Sequence, residues 1–304
     1  MIKIAALISA DLSDDHPERR ADYFEYEEQF SKLIPAFADH GMTLTTHVWE
    51  GFASKAKAYR AVLPLMVWDY FDGKREKFIN EMKAVAAQTR LFNPAHMLIW
   101  NSDKSYLENL TQKGAPIIPT LTIKSVTQAT VLPLFEQFDT DKLVIKPEIG
   151  AGAWRQILYT KGTPFPLPHL CPPGRALVQP FLPSVMKRGE VSLLYFNGKL
   201  SHGVLKTPKA GDYRIQSIYG GGEALYHPSA EDCAVADTVL STLDSVPLYA
   251  RIDLMQGRDG ALKLIELELI EPYLYLAHSQ GAGDENRGAQ AFAKALRERL
   301  IDAP

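Results

Sequence analysis

Ala250-Arg251-Ile252-Asp253 and, beyond a short connection, Leu264-Ile265-Glu266-Leu267-Glu268 read as the facing strands of a hairpin, within apolar runs spanning Leu248–Asp253 and Leu262–Leu269. Side chains two apart in a strand share one face, so Glu266 and Glu268 point the same way, as do Arg251 and Asp253. Pairing the strands brings three carboxylates into one small volume, where like charges repel unless a cation lies between them. Carboxylate oxygens together with water and phosphate oxygens are the usual ligand set of magnesium. Arg251, on the face of Asp253, is placed to neutralise a phosphoryl group in transfer. The competing reading is a solvated acidic face, but Leu264, Ile265, Leu267 and Leu269 argue for a buried setting in which unpaired charge is costly.

Working outward, Lys142-Leu143-Val144-Ile145-Lys146-Pro147 is a strand that runs into Glu148-Ile149-Gly150-Ala151-Gly152-Ala153-Trp154. Small residues let backbone approach a bulky anion, and successive free amides can cradle its oxygens. Lys146 adds a point charge to the same place. The loop fits neither the Walker pattern nor the dinucleotide fingerprint, and a purely structural loop stays open as an alternative. Leu177-Val178-Gln179-Pro180-Phe181-Leu182-Pro183 is a strand entering a proline hinge. Backbone donors and acceptors left unused by a ladder there suit the edge of a purine, with Glu190 close behind for ribose hydroxyls. Further strands are expected at Ala176–Phe181, Val191–Phe196 and Lys199–Leu205, the last two joined by the hairpin signal Asn197-Gly198.

The first third alternates apolar strands (Ile4–Ile8, Met42–Trp49, Ala61–Trp68) with helical spacing at Phe24–His40 and Arg75–Gln88. That order predicts an open, mostly parallel α/β sheet, whose ligands gather at the carboxyl ends of strands. Ser9, Asp11, Trp68 and Asp69 are the candidates there, with capping or core packing as the alternative for each. A net charge of −3 over 304 residues gives no electrostatic reason to expect nucleic acid or an anionic membrane. No apolar run approaches a transmembrane span, and the apolar start reads as a buried strand and not as a leader, which points to the cytoplasm. Cys171 and Cys233 are read as two ordinary thiols.

These segments, in this order, resemble the ATP-grasp superfamily, which includes glutathione synthetase and D-alanine–D-alanine ligase. The resemblance runs from about Asn101 to Leu274. It implies an α/β (α+β) protein with an ATP-grasp fold preceded by an open, mostly parallel α/β domain. Residues 1–100 would form that first domain, 101–175 a central subdomain with the phosphate-covering loop, and 176–304 a C-terminal subdomain with the metal site. It further implies ATP and magnesium, or manganese, as cofactors. Lys104 and Lys146 would contact the nucleotide, and Gly150, Ala151, Gly152 and Ala153 would cover its phosphates. Gln179 and the backbone of Phe181 and Leu182 would hold adenine, and Glu190 ribose. Asp253, Glu266 and Glu268 fall on the family's metal ligands, Glu268 standing where many relatives have asparagine. Phrases such as Trp100-Asn101-Ser102-Asp103-Lys104 and Glu268-Leu269-Ile270-Glu271-Pro272-Tyr273-Leu274 look like a bacterial subgroup that includes the O-ureido-serine cyclo-ligase of D-cycloserine biosynthesis.

The resemblance implies a ligase that activates a small amino-acid-like carboxylate as an acylphosphate for attack by a nitrogen, with antibiotic biosynthesis as its setting. That nitrogen lies on the same molecule in a cyclo-ligase and on a second substrate in an amide ligase; a non-catalytic nucleotide-binding protein is the third reading. The expected partner is a small molecule, with a homo-oligomer allowed. The substrate pocket is expected to use Lys206, Arg214 and the turn Tyr219-Gly220-Gly221, with Asp69 at a strand end; Arg251, Arg214 and Lys206 are the catalytic candidates. His202, on an apolar strand, is expected to be packed and not catalytic.

Overall fold

A computed structural model describes residues 1–301 except 14, 72 and 281–285. Its elements in chain order are β1 (Ile2–Ile8), α1 (Tyr23–Asp39), β2 (Met42–Val48), β3 (Ala61–Met66), α2 (Arg75–Ala86), β4 (Arg90–Leu91), α3 (Ala95–Asn101), α4 (Tyr106–Gln112), β5 (Leu121–Ile123), α5 (Gln128–Gln137), β6 (Lys142–Pro147), β7 (Ile157–Thr160), β8 (Ala176–Pro180), α6 (Ser184–Arg188), β9 (Glu190–Phe196), β10 (Lys199–Thr207), β11 (Gly222–Tyr226), α7 (Ala230–Ser241), β12 (Tyr249–Gln256), β13 (Leu262–Glu268) and α8 (Arg287–Ile301). The strands form three sheets, in the orders β2-β1-β3-β4, β5-β8-β6-β7 and β11-β10-β9-β12-β13.

The first sheet is parallel, as the alternation of strands and helices predicts. All of β3 is buried, which is what a parallel sheet covered on both faces requires. Helix α1 buries Phe30, Leu33 and Phe37, at helical spacing, and ends before Gly41, whose φ of 72° suits glycine. The other two sheets are antiparallel. Asn197 and Gly198 turn between β9 and β10 with φ of 51° and 73°, the left-handed pair that the sequence signal demands.

Sheet membership moves one expected division. Strand β8 pairs with β5 and β6, so the central sheet continues to Pro180 and does not end at 175. The chain's last helix also crosses the expected boundaries. Phe292 of α8 stacks on Phe196 (4.8 Å) and meets Phe37 edge-on (5.6 Å), tying the five-stranded sheet to α1. Sequence spacing missed β4, α3, α4, β7, α6, β11, α7 and α8. Helix α7 nevertheless carries a capping box at Ser229 and Asp232, and α8 is amphipathic.

Asn93 fastens the first sheet's exit to the C-terminal sheet. It is fully buried, donates to the carbonyls of Tyr249 and Leu269 (both 2.9 Å), and accepts from the Leu248 amide (2.7 Å). Asn93→Ala leaves these three backbone groups unsatisfied and is expected to cost on the order of 3 kcal/mol. Urea unfolding of the variant against wild type measures the loss.

Candidate active site

Strands β12 and β13 set Asp253 opposite Glu266 and Arg251 opposite Glu268, so all four residues share one face, as strand periodicity predicts. A bulge lies between Asp253 and Leu254, and it re-aims the facing strand so that consecutive Ile265 and Glu266 both line the cavity. Arg251 spans the group: it bonds Asp253 (3.0 Å), contacts Glu268, and donates to the Tyr273 carbonyl (3.3 Å). Lys206, from β10, reaches Glu190 (2.6 Å) and Asp253 (3.3 Å), and the Ser192 hydroxyl donates to Asp253. Lys104 pairs with Glu266 at 2.9 Å from the far wall.

Burial opposes every charge in this network, and neighbours decide the outcome. Arg251 and Lys206 outweigh burial at Asp253 and keep it ionised well below the usual carboxylate range. Lys104 and Lys146 do the same for Glu266, whose pKa is lowered. At Glu268 burial wins against Arg251, with Asp253 and Glu266 adding to it, and the carboxyl is pushed up to about 8.

Among the described residues, no three His, Cys, Asp or Glu side chains are grouped to hold a metal ion by themselves. The physical reason is that cations already stand between them, with Asp253 in particular held by Arg251, Lys206 and Ser192. Glu266 and Glu268 remain suitable donors in a surplus of buried acid. They fit magnesium, which typically takes one or two carboxylates and completes its shell with water and phosphate oxygens.

The facing wall comes from β6 and the loop that follows it. Gly150, Ala151, Gly152 and Ala153 all line the cavity, as expected. A Cβ on Gly150 would lie 2.9 Å from the Pro147 side chain, so the loop can turn there only with glycine. The Lys104 ammonium donates to the Gly150 carbonyl (2.5 Å) and its backbone amide to the Glu148 carbonyl (2.9 Å). Trp154 packs against Phe71 of the first domain, ring centres 5.9 Å apart. Lys146 stands apart: it lines the cavity, yet forms no ion pair within 4 Å among the described residues. Burial, with Lys104 beside it, lowers its pKa, although Glu266 pulls the other way.

A slot lined by Ile118, Leu182, Val185, Ile215 and Met255 opens beside the hinge. Gln179 lines it with its amide tied to Thr120 (2.9 Å). At the hinge the Phe181 amide is used by the ladder, donating to the Lys142 carbonyl at 2.9 Å. The Leu182 amide has no acceptor among the described residues and is the hinge donor left for a ligand. Glu190 lines the cavity, but it is bound to Lys206.

The remaining end of the cavity, whose volume is about 430 Å³, lies against the first domain. Arg214 and Tyr219 are there as expected, the guanidinium 3.7 Å above the ring, though its fork is filled by Asp212 (2.6 Å). Asp69 is not there. It accepts from Trp49 (2.7 Å) and pairs with Lys74 (2.5 Å) outside the cavity, while its neighbour Trp68 lines it. Gly220 and Gly221 do not line it either. Gly220 is left-handed (φ 81°), and a Cβ on Gly221 would sit 2.0 Å from the Ile215 carbonyl, so these glycines serve the turn itself. His202 is buried against the Leu274 carbonyl (2.8 Å), and burial holds its pKa down to about 4, the packed role expected.

Sequence spacing missed Arg20, Glu25, Tyr70, Glu271, Tyr273 and Tyr275, which complete this end. Glu25 of α1 accepts from the Ser217 hydroxyl (2.5 Å) and thereby latches the loop after β10 to the first domain. These residues come from chain segments brought together only by packing, and no local pattern marks them.

Residues 4–93 match the family described as D-cycloserine synthetase DcsG, N-terminal domain. The chain is 27% identical over 285 residues to the cycloserine biosynthesis protein DcsG of Streptomyces lavendulae, covering 88% of this chain and 92% of the relative. It also resembles the crystal structure of D-cycloserine synthetase DcsG, with a TM-score of 0.81, 26% identity, and 98% and 99% of the two chains covered. The D-alanine–D-alanine ligase of Bacillus anthracis, solved with ATP, shares the fold with a TM-score of 0.66 at 14% identity, covering 98% of this chain and 99% of that one.

Burial pushes the Glu25 carboxyl up to about 7 even though the Ser217 hydroxyl bond favours its charged form. A carboxyl raised above its unfolded value of 4.5 keeps its proton in the fold while the unfolded chain has lost it. Its contribution is therefore complete below about pH 4.5 and is lost as pH rises to about 7. Glu25→Gln removes this titration, so the variant's stability is expected to fall less than wild type's across that window. Urea midpoints measured at pH 5 and pH 7.5 for both proteins check it.

Proposed function

We propose that this chain, which resembles D-cycloserine synthetase over most of its length, is an ATP-grasp ligase that uses ATP and magnesium to phosphorylate a small amino-acid-like carboxylate, which a nitrogen on the same molecule then attacks. The single observation that carries the reading is Lys146, an enclosed ammonium with no carboxylate partner, set beside the small-residue loop and across from Glu266 and Glu268. A half-buried cation without a counterion is costly, and a polyphosphate entering between the loop and the carboxylate face is the anion that relieves it.

In this reading adenine occupies the apolar slot and meets the Leu182 amide, with Gln179 at its edge. Lys104 and Lys146 hold the phosphates beneath Gly150 to Ala153. Glu190 serves the ribose with the oxygen that Lys206 leaves. Glu266 and Glu268, with Asp253 beside them, would hold magnesium, which supplies charge neutralisation on the phosphates when bound. The substrate carboxylate attacks the terminal phosphorus, and the breaking bond's electron pair leaves on ADP. Arg251 and Lys206 neutralise the charge that spreads over the transferred group, so catalysis is mostly positioning and electrostatics. Arg214, stacked on Tyr219, is placed to bind a carboxylate if Asp212 releases its fork. The nitrogen then attacks the acyl carbon, the carbon–oxygen bond to phosphate breaks, and phosphate departs.

The cyclising form draws support from the D-cycloserine synthetase relatives, and O-ureido-D-serine is the substrate proposed: its ureido-oxy nitrogen closes a five-membered ring, water then cleaves the carbamoyl–nitrogen bond, the ring nitrogen takes a proton, and the carbamoyl group departs as carbon dioxide and ammonia. Phosphate release with ATP, magnesium and O-ureido-D-serine, and with no added amine, is the expected result. Dependence on a second amine would favour two-substrate ligation, and tight ATP binding without phosphate release from any acid would favour a non-catalytic role. Lys146→Ala is expected to weaken ATP binding at least about tenfold, the effect of losing one charge-assisted contact worth about 1.5–3 kcal/mol. Glu266→Gln is expected to abolish turnover while ATP still binds. Calorimetric titration and the phosphate assay separate the two effects.

A further inference from the structure

Just past β13, one side of the cavity holds polar groups that the protein leaves unpaired. The Glu271 carboxyl is buried, 9% exposed, and lines the cavity, yet it has no hydrogen bond or ion pair among the described residues. The Tyr70 hydroxyl, just past the carboxyl end of β3, is in the same condition; Tyr70 is 4% exposed and lines the same cavity, and burial, with Glu271 adding to it, pushes its pKa up. Every other carboxylate named on the β12–β13 face has a cation or hydroxyl at bonding distance.

The backbone that carries Glu271 is fixed from several directions. Trp68 donates its indole N–H to the Glu271 carbonyl (3.0 Å), and Tyr249 donates to the Ile270 carbonyl (3.2 Å). Arg251 holds the Tyr273 carbonyl (3.3 Å), and the Leu274 amide donates to Gln29 (2.7 Å). An unpaired carboxyl on such a frame is held in place for something that is not part of the fold. Three residues beyond Glu268, it lies next to the proposed site of phosphoryl transfer, near enough to feel Lys104 and Arg251 but without an ion pair to either.

We propose that Glu271 and Tyr70 form the subsite for the attacking nitrogen, with Glu271 accepting its N–H. Burial, with Glu268 beside it, pushes the Glu271 carboxyl well above the usual carboxylate range; a carboxylate or phosphate placed here would oppose its ionisation further, whereas an N–H donor satisfies the open acceptor and favours its charged form. The subsite thus selects the nucleophile and aims it at the acyl carbon, and Glu271 is a positioning residue for the second half-reaction. This rests on the ligase reading above and specifies its weakest part, the place of the nitrogen.

Hydroxylamine, a small nucleophile that captures an acylphosphate as a hydroxamate, separates the two half-reactions. With ATP, magnesium, O-ureido-D-serine and hydroxylamine, Glu271→Gln is expected to form hydroxamate within about threefold of wild type. Without hydroxylamine, it is expected to release ring product about 100-fold more slowly, the scale of loss from a misplaced reacting group. Glu271→Asp is expected to recover part of the rate. Tyr70→Phe, which keeps the ring packing, provides a second variant and should show the same split more weakly. Parallel loss of hydroxamate and product in Glu271→Gln would assign the residue to phosphoryl transfer or to the fold, and overturn the proposal. Normal product release in both variants would overturn it as well. If wild type yields no hydroxamate, the ligase reading itself fails, a result distinct from either.

Discussion

Arg251 is fixed by Asp253, Glu268 and the Tyr273 carbonyl, and this one buried guanidinium organises the floor of the cavity. Without it Glu268 would be an unpaired acid in a medium that penalises charge, and Asp253 would keep only Lys206 and Ser192. With it, they stay on one face while the chain beyond β13 is pulled into line. Lys206 extends the network to Glu190, and Lys104 closes it across the cavity at Glu266. The network is balanced against burial and not against water, which is why the groups diverge: Asp253 is held low while Glu268 is lifted to about 8.

The three sheets supply the walls around that floor. The antiparallel C-terminal sheet brings the carboxylates, the central sheet brings Lys146 and the small-residue loop, and the parallel sheet brings Trp68 and Tyr70 at its carboxyl edge. Contacts between these parts beside the cavity include Trp154 on Phe71, Glu25 with Ser217, and Trp68 with the Glu271 carbonyl. Each joins two segments that line the cavity.

The parts written into local pattern were legible in the sequence. Period-two spacing placed Arg251, Asp253, Glu266 and Glu268 on one face, and the register agrees. The strand, lysine and small-residue loop placed Lys146 and Gly150 to Ala153 on the cavity wall. Failures came where identity depends on a neighbour far along the chain. Asp69 sits at a strand end where ligands gather, but Trp49 and Lys74 claim it, and Trp68 lines the cavity instead. Gly220 and Gly221 looked like ligand-approach glycines, yet φ and the Ile215 carbonyl account for them. Glu25, Tyr70 and Glu271 carry no local signature, because only packing puts α1, the end of β3 and the chain after β13 around one space.

The central claim is that the substrate carboxylate is phosphorylated before nitrogen attack. Substrate labelled with oxygen-18 in its carboxylate tests it directly, by mass analysis of the released phosphate. The account predicts that each phosphate carries one labelled oxygen, because the carboxylate oxygen bound to phosphorus departs with it. Unlabelled phosphate accompanying product would contradict the account.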